Sequence, residues 1–491
     1  MLKNSLFVYF LTRLCGMIKE SYIFGLIERF IFFIAESFSK SFTKKILSGN
    51  GAIEDKYKDT SVFYKLIALL SRSLLAAGEK IGPLLKDSFI FKAFSDSAFI
   101  SFVFRVPFLC CVMFIIPHDS WNNIYAFFLA GLALVVSLAS RPKEKRKLPY
   151  VWLTLILFIG TTAFSVVFSH DTPDSARIFM FFLTALLLCL ATYFYICTKE
   201  RLYTFLKWML VSCVITAFLA FIQRILGIAP DPTLTDMSLN ANMPGRAFST
   251  LGNPNNYAEF LVLFMPFGLA FALNEKNKTK KGLSIAGVIV CVCALLLTYS
   301  RSGWIAFAVA AVIFVSVYNK KYLPYLVIFA LALIPLLPES ITSRILTIGN
   351  LQDSSSAYRL IIWEGTLYML ADYWFTGVGL GNGAFRAVYP RYSLMEAAGA
   401  PHSHMQFLEI FSELGILGIT LYLCMTFVLI RRSFLASSSK NTLVSLSATA
   451  AAAAMTSFLF IGFFEYCWFY PRIIFAFFVC AGVAMSAFLL R

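Results

Sequence analysis

EKNKTKKGLSIAGVIVCVCALLLTYSRSGWIAFAVAAVIFVSVYNKK, residues 275–321, decides what kind of molecule this is. Two apolar runs, about 283–299 and 303–318, meet at a tight turn around Ser300–Gly303. Each approaches the ~20 apolar residues that a helix needs to cross a bilayer. Lysines crowd the far ends, with Lys276, Lys278, Lys280 and Lys281 before the pair and Lys320 and Lys321 after it. The turn between them carries an arginine, Arg301. Cations collect in the cytoplasmic loops of membrane proteins. The hairpin therefore starts and ends in the cytoplasm and turns outside.

The rest of the chain repeats this unit. Of 491 residues, 59% are apolar and 14% are charged, against about 25% charged in a soluble domain. That excludes a disordered chain, a disulfide scaffold and an ordinary soluble enzyme. It requires an all-α, polytopic membrane protein. Twelve spans are expected, at about 98–116, 121–140, 149–169, 177–197, 208–228, 256–273, 283–299, 303–318, 323–337, 405–430, 442–465 and 472–490. Loops after the even-numbered spans are RPKEKRK (141–147), KERLYTFLK (199–207), EKNKTKK (275–281), NKK (319–321) and RRSFLASSSK (431–440), with 17 Lys/Arg. The alternate loops hold 8, all Arg. Both termini are thus expected inside and all four histidines outside. The net charge of +16 is mostly topology and not nucleic-acid binding. The 11 cysteines lie almost all in apolar runs without a CxxC pair and read as small core residues.

Residues 1–97 stand apart. They hold 14 Lys/Arg and 9 Asp/Glu, and no cleavable signal peptide is evident in them. Over 57–80, Lys58, Lys65, Arg72 and Glu79 form one stripe, with Phe63, Leu66, Ile67, Leu70 and Leu74 opposite and a stop at Pro83. This helix is too charged to span. It lies on the membrane surface or packs against the bundle or another subunit. The core is then 98–491, with a large outer loop at 338–404 that is long enough to be a functional cap.

Arginine without lysine on the outer side suggests selection for a bidentate fork of donors that fits phosphate or carboxylate. Arg177 and Arg472, at helix ends, read as ordinary survivors of the topology rule. Arg301, in LTYSRSGW, needs an anionic partner at its tight turn. That partner is a phosphate head or a carboxylate such as Glu259. Arg246, in GRAFSTLGNPNNYAEF, precedes an Asn-Pro-Asn turn that does not explain it. Arg359, in AYRLIIWEGTLYML, lies beside Tyr358 and Trp363, which are interface anchors or sugar-stacking faces. His402 and His404, in GAPHSHMQFLEIFSELGILG, sit where a helix starts at the outer surface. A histidine there can take a proton from a hydroxyl near neutral pH. A metal needs three or four ligands, and no outer cluster supplies them. GVGLGNG (377–383) fits no dinucleotide loop and reads as a flexible turn that shapes the outer loop.

Together, GRAFSTLGNPNNYA (245–258), SRSGW (300–304), YRLIIWEGT (358–366), FTGVGLGNGAF (375–385) and HSHMQFLEIFSELGILG (402–418) resemble the O-antigen ligase and O-antigen polymerase superfamily. The resemblance covers roughly 100–490 and is strongest over 245–420. It implies a GT-C-like membrane glycosyltransferase acting on a glycan carried by undecaprenyl diphosphate. It implies that Arg301 and Arg359 hold the diphosphate and that a histidine is the base; Arg246 is a further candidate for the diphosphate. The family spacing, His, a polar residue, nine residues, then GxxG, fits His404, with Met405 in the polar position and Gly415 and Gly418 closing the motif. His402 is the understudy. The acceptor is a hydroxyl on lipid core, glycan or protein. No metal or cofactor is implied. A transporter or flippase of the same topology and a non-catalytic scaffold are the rivals. The spans carry few charges (Arg105 is an exception) and no repeat between halves, which disfavours transport.

Overall fold

A computed structural model describes residues 29, 62–87, 105–140, 149, 151–228, 245–346 and 354–491. Residue 29 apart, the chain before 62 lies outside the described residues, as do residues 98–104 of the first expected span and the basic loop 141–147. Among the described residues every regular element is helical. In chain order these are α1 (Val62–Asp87), α2 (Val106–Ile115), α3 (Asn123–Ala139), α4 (Val151–Val167), α5 (Thr172–Tyr195), α6 (Lys199–Ile225), α7 (Pro254–Asn274) and α8 (Lys278–Leu296). They continue with α9 (Arg301–Asn319), α10 (Leu323–Leu333), α11 (Glu339–Leu346), α12 (Ser354–Tyr373), α13 (Gly381–Val388), α14 (Gln406–Ser437), α15 (Thr442–Ile461) and α16 (Pro471–Leu489). Many begin at a polar cap. Asn122, Asp171, Thr198, Asn253, Asn277, Ser300 and Asn441 each accept a hydrogen bond from a backbone N–H of the first turn.

Eight stretches are long and apolar enough to cross a membrane: α5, α6, α7, α8, the run 301–336 spanning α9 and α10, α14, α15 and α16. The apolar helices α2, α3 and α4 are shorter, at 10 to 17 residues. The chain is a polytopic membrane protein. Two of the expected spans, 303–318 and 323–337, form one apolar stretch interrupted by a single turn at Lys320–Tyr322.

The centre of the bundle is α7, α15 and α16, whose side chains are buried almost throughout. The run Ala450–Ala454 on α15 is fully buried. Small residues there let α7 and α9 approach closely. The rim is α8, where Cys291, Ala294 and Leu295 are the buried residues.

Hydrogen bonds sort the interhelical junctions into two ends. At one end Arg472 donates to the carbonyls of Ile116 and Thr250, His170 N–H donates to Val378, and Asn255 and Ser302 donate to Glu465. At the other end Arg201 donates to the Ser140 carbonyl and Tyr203 to Glu275. Helix direction puts 199–207, 275–281, 319–321 and 431–440 at this second end. The arginine-bearing junctions gather at the first. The alternation of loop charge is therefore the alternation of the fold.

Of the two roles expected for the N-terminal helix, α1 takes packing against the bundle. Ile67, Ser71, Leu75, Gly78 and Gly82 form its buried stripe, and Gly78 and Gly82 lie against Leu138 and Ala139 of α3. Leu66, Leu69 and Leu70 are exposed. The buried stripe is rotated from the expected apolar face because small residues, not leucines, allow the close approach. The expected stop at Pro83 is a correction: α1 runs through it to Asp87. An exposed proline this near a helix end forfeits one backbone hydrogen bond and tolerates the rest of the turn. A β-carbon at Gly78 would lie 3.1 Å from both Leu138 Cβ and the Leu138 carbonyl oxygen. Gly78→Leu is therefore expected to detach α1 from α3. Loss of crosslinking between cysteines introduced at 75 and 138 would report it.

The last element that positions the site is a broken helix. Within α14, Gly415 has φ 65° and ψ −168°, which interrupts the helix nine residues after its buried start at Gln406. The freed carbonyls are taken by the stretch 374–381. Val378 N–H donates to Ser412 O (2.7 Å), Gly379 N–H to Glu413 O (3.3 Å), and Ile416 N–H reaches back to Trp374 O (2.8 Å). GVGLGNG is thus not a flexible turn, as the sequence suggested. It is a fixed strap with Gly377, Gly379 and Gly381 at positive φ, because β-carbons at 377 and 379 would strike Glu413 and Ser169.

Candidate active site

The site forms where α7, α9, α12, α14 and the α15–α16 junction meet. Its centre is a carboxylate that the sequence reading passed over, Glu465. Glu465 Oε1 accepts from Arg359 Nη2 at 3.1 Å, from Asn255 Nδ2 at 3.3 Å and from Ser302 Oγ at 3.3 Å. The donors come from three separate elements: the first turn of α7, the first turn of α9, and α12. The only signal in the sequence was position, since Glu465 is the sole acid between the last two spans.

Arg246 is buried beside this group. Its Nε donates to the Thr298 carbonyl at 2.8 Å and its Nη2 to Asn255 Oδ1 at 2.6 Å. Burial pushes its guanidinium down to about 10. The charges of Arg344 and Arg301 push the same way, and Glu465 opposes them. Arg246, Arg301 and Arg359, the three arginines singled out from sequence, therefore share one neighbourhood with Glu465. Arg344 of α11 joins them and was not singled out. Arg246 also has a structural duty, closing the loop before α7 onto the end of α8. The two arginines read as ordinary are so placed: Arg177 pairs with Asp174, and Arg472 caps carbonyls and stacks over Trp121.

The two histidines stand next to the arginine group in the short loop that enters α14. Ser403, between them, is clamped from both sides. Its N–H donates to Glu409 Oε2 at 2.6 Å, and its carbonyl accepts from Trp363 Nε1 at 2.9 Å. Through its indole N–H, Trp363 is thus a clamp on the histidine loop. His404 has φ 56°, a left-handed conformation uncommon for histidine, and its N–H donates to His402 Nδ1 at 3.1 Å. That bond leaves the proton of neutral His402 on Nε2. The two rings lie 4.1 Å apart, and His402 packs on Phe469 and Tyr466. His402 is buried, while His404 keeps partial access. Burial, then the charge of Arg359, pushes His404 down to about 4, with Glu465 opposing. Burial, then His404, Arg359 and Arg386, holds His402 well below the usual imidazole range. Both imidazoles are neutral at pH 7, as a proton acceptor must be.

Beneath the histidines, α14 carries two buried acids. Glu409 holds Ser403, and Glu413 accepts from Gly381 N–H and from Tyr466 O–H, both at 2.9 Å. Gln406 N–H donates to the carbonyls of Gly462 and Glu465. One set of bonds thus ties the histidine loop, the glycine strap and the Glu465 segment to the first turns of α14. Glu259, the carboxylate expected near Arg301, is buried in α7.

Residues 286–423 match the family described as O-antigen ligase. The matched stretch runs from α8 into α14, so it includes Arg301, Arg359, His402 and His404 but not Arg246 or Glu465. The chain is also similar to the ComP-specific O-oligosaccharyltransferase of Acinetobacter baylyi, with 25% identity over 247 residues. That similarity takes in 47% of this chain and 42% of the relative.

Proposed function

We propose that this chain, which carries an O-antigen ligase family domain, is a membrane glycosyltransferase that moves a glycan from undecaprenyl diphosphate to an acceptor hydroxyl at the outer face of a bacterial cytoplasmic membrane. The observation that carries this reading is a neutral, partly accessible histidine, His404, set against an arginine group at one end of the bundle. Arg301 and Arg359, with Arg246 behind them, hold the diphosphate. His404 takes the acceptor's proton as its oxygen bonds to sugar C1. The C1–O bond to phosphate breaks, undecaprenyl diphosphate leaves, and the configuration at C1 inverts. The leaving group carries its own charge well, so electrostatic stabilisation and base catalysis suffice without a metal or cofactor. His402 acts by fixing the His404 backbone and is a positioning residue.

The lysine-bearing end is assigned to the cytoplasm, which puts both termini inside and the site outside. Twelve spans in a GT-C-like arrangement, with α9 and α10 of the run 301–336 counted as two passes, fit this orientation. Among the acceptors considered (lipid core, glycan or protein), the name of the Acinetobacter relative favours a protein hydroxyl.

The test is transfer in vitro from an undecaprenyl-diphosphate glycan to each acceptor class. Arg359→Ala is expected to lower kcat/KM by about 10²–10³, the usual cost of removing a group that stabilises developing charge. Arg359→Lys is expected to leave most of that loss in place, because a lysine cannot reproduce the guanidinium fork. Solute flux without glycan transfer would move the assignment to a transporter. A reporter at 404 found in the cytoplasm would overturn the orientation.

A further inference from the structure

We propose that Glu465 is a built-in stand-in for the substrate's phosphate: its carboxylate fills an oxyanion subsite made by Arg359, Asn255 and Ser302, and a phosphate of the donor displaces it. This rests on the glycosyltransferase reading and extends it by naming two uncharged ligands and an internal competitor. Three donors from three elements converge on one oxygen, Oε1. Convergence of that kind marks a place where an oxyanion belongs. All three contacts are long, at 3.1–3.3 Å, where a committed charge-assisted bond measures about 2.7–2.9 Å. Three donors thus share a single carboxylate oxygen, where a phosphate would offer them several. Asn255 and Ser302 lie in the first turns of α7 and α9, so two helix N-termini add their positive ends to the subsite.

Glu465 is also anchored independently of its carboxylate. It lies in the non-helical stretch between α15 and α16, and its anchoring bonds are made by its backbone. Its carbonyl accepts from Gln406 N–H, and its N–H donates to Ile461. The side chain can swing away without breaking those bonds. In the unliganded state the carboxylate keeps Arg359 paired, which spares a charge at the membrane edge the cost of standing alone. It also sets a threshold: an anion must out-compete a tethered carboxylate, which a diphosphate does better than a single phosphate.

The experiment measures binding of inorganic pyrophosphate and of undecaprenyl diphosphate to the full chain in nanodiscs. Glu465→Gln is expected to tighten both at least tenfold. It is also expected to strengthen product inhibition by undecaprenyl diphosphate, and to slow turnover under saturating donor. Asn255→Ala and Ser302→Ala are expected to weaken pyrophosphate severalfold. Thermal unfolding of each variant separates misfolding from altered binding, and Glu465→Asp, with a shorter reach, supplies a second folded test with an intermediate gain. Unchanged or weaker pyrophosphate binding in folded Glu465→Gln and Glu465→Asp would overturn the stand-in and leave Glu465 as a fixed support for Arg359. Tighter pyrophosphate binding in a chain that transfers no glycan would retain the subsite and sink the transferase reading. Transfer without tightening would do the reverse.

Discussion

His404→Ala is expected to lower glycan transfer by about 10²–10⁴, the range that positioned base catalysis supplies, while leaving donor binding nearly intact. The split between kcat and KM identifies the role. A base acts only as the acceptor proton departs, so its loss falls on kcat. Removing an arginine raises KM as well. His402→Ala removes the acceptor of the His404 N–H and relaxes the left-handed backbone at 404, so it is expected to cost less than His404→Ala. The pH dependence follows from the direction of the shift. His404 is pushed down to about 4 by burial and by Arg359, from an ordinary value near 6.5. The free imidazole therefore persists well below neutrality. In the free enzyme, kcat/KM is expected to stay flat from pH 7 to about 5 and to fall as pH approaches 4. An acid limb centred near 6.5 would mean that an ordinary, solvated histidine controls the rate. Stability moves in the same sense. Below about pH 6.5 the unfolded chain takes up protons that the folded site refuses. Stability is thus full above that pH and falls between about 6.5 and 4, which a melting series would record.

The sequence made the membrane architecture and the chemical cast readable for physical reasons. Span hydrophobicity and loop lysines follow from the bilayer itself, so the hairpin at 275–321 and its neighbours could be read locally. Arg246, Arg301 and Arg359 drew notice because a guanidinium beside an apolar span needs a reason. Their convergence was not readable, since it depends on how α7, α9 and α12 pack. Glu465 escaped for the same reason: nothing local distinguishes one acid at a helix junction until three donors are seen to meet on it. Buried Glu409 and Glu413 were absorbed into an apolar average, although they organise the histidine loop and the strap. The glycines at 377–383 were visible as a cluster, but their fixed role depends on a break in a distant helix. The buried face of α1 differs from the expected one because hydrophobicity points to leucines, while the close contact of α1 with α3 runs through glycine.

That break is the place where one methyl group should do the most harm to the fold. Gly415→Ala is expected to destabilise the protein by about 3–5 kcal/mol, from two separate costs. The backbone at φ 65°, ψ −168° lies in a region that is essentially glycine-only and costs about 1–3 kcal/mol for any other residue. A β-carbon there would also stand 2.0 Å from Phe375 O and 2.5 Å from its carbonyl carbon. Neither atom belongs to a flexible side chain that could turn aside, so the strap itself must shift. Straightening α14 offers no escape. A continuous helix would reclaim the carbonyls of Ser412 and Glu413 and strip Val378 and Gly379 of their hydrogen bonds. Gly381 would then lose Glu413 Oε1, and the acid that also binds Tyr466 beside Glu465 would shift. The damage should therefore reach the arginine group through the 465–466 segment, although Gly415 touches none of the reacting groups. Gly418→Ala tests the clash without the backbone cost, because Gly418 is not at positive φ while its β-carbon would stand 2.0 Å from Leu414 Cβ, one helical turn away. It is expected to melt less far below the wild type than Gly415→Ala in the same detergent. Equal melting temperatures for Gly415→Ala and wild type would mean that α14 runs unbroken in the native protein and that the strap is held by other contacts.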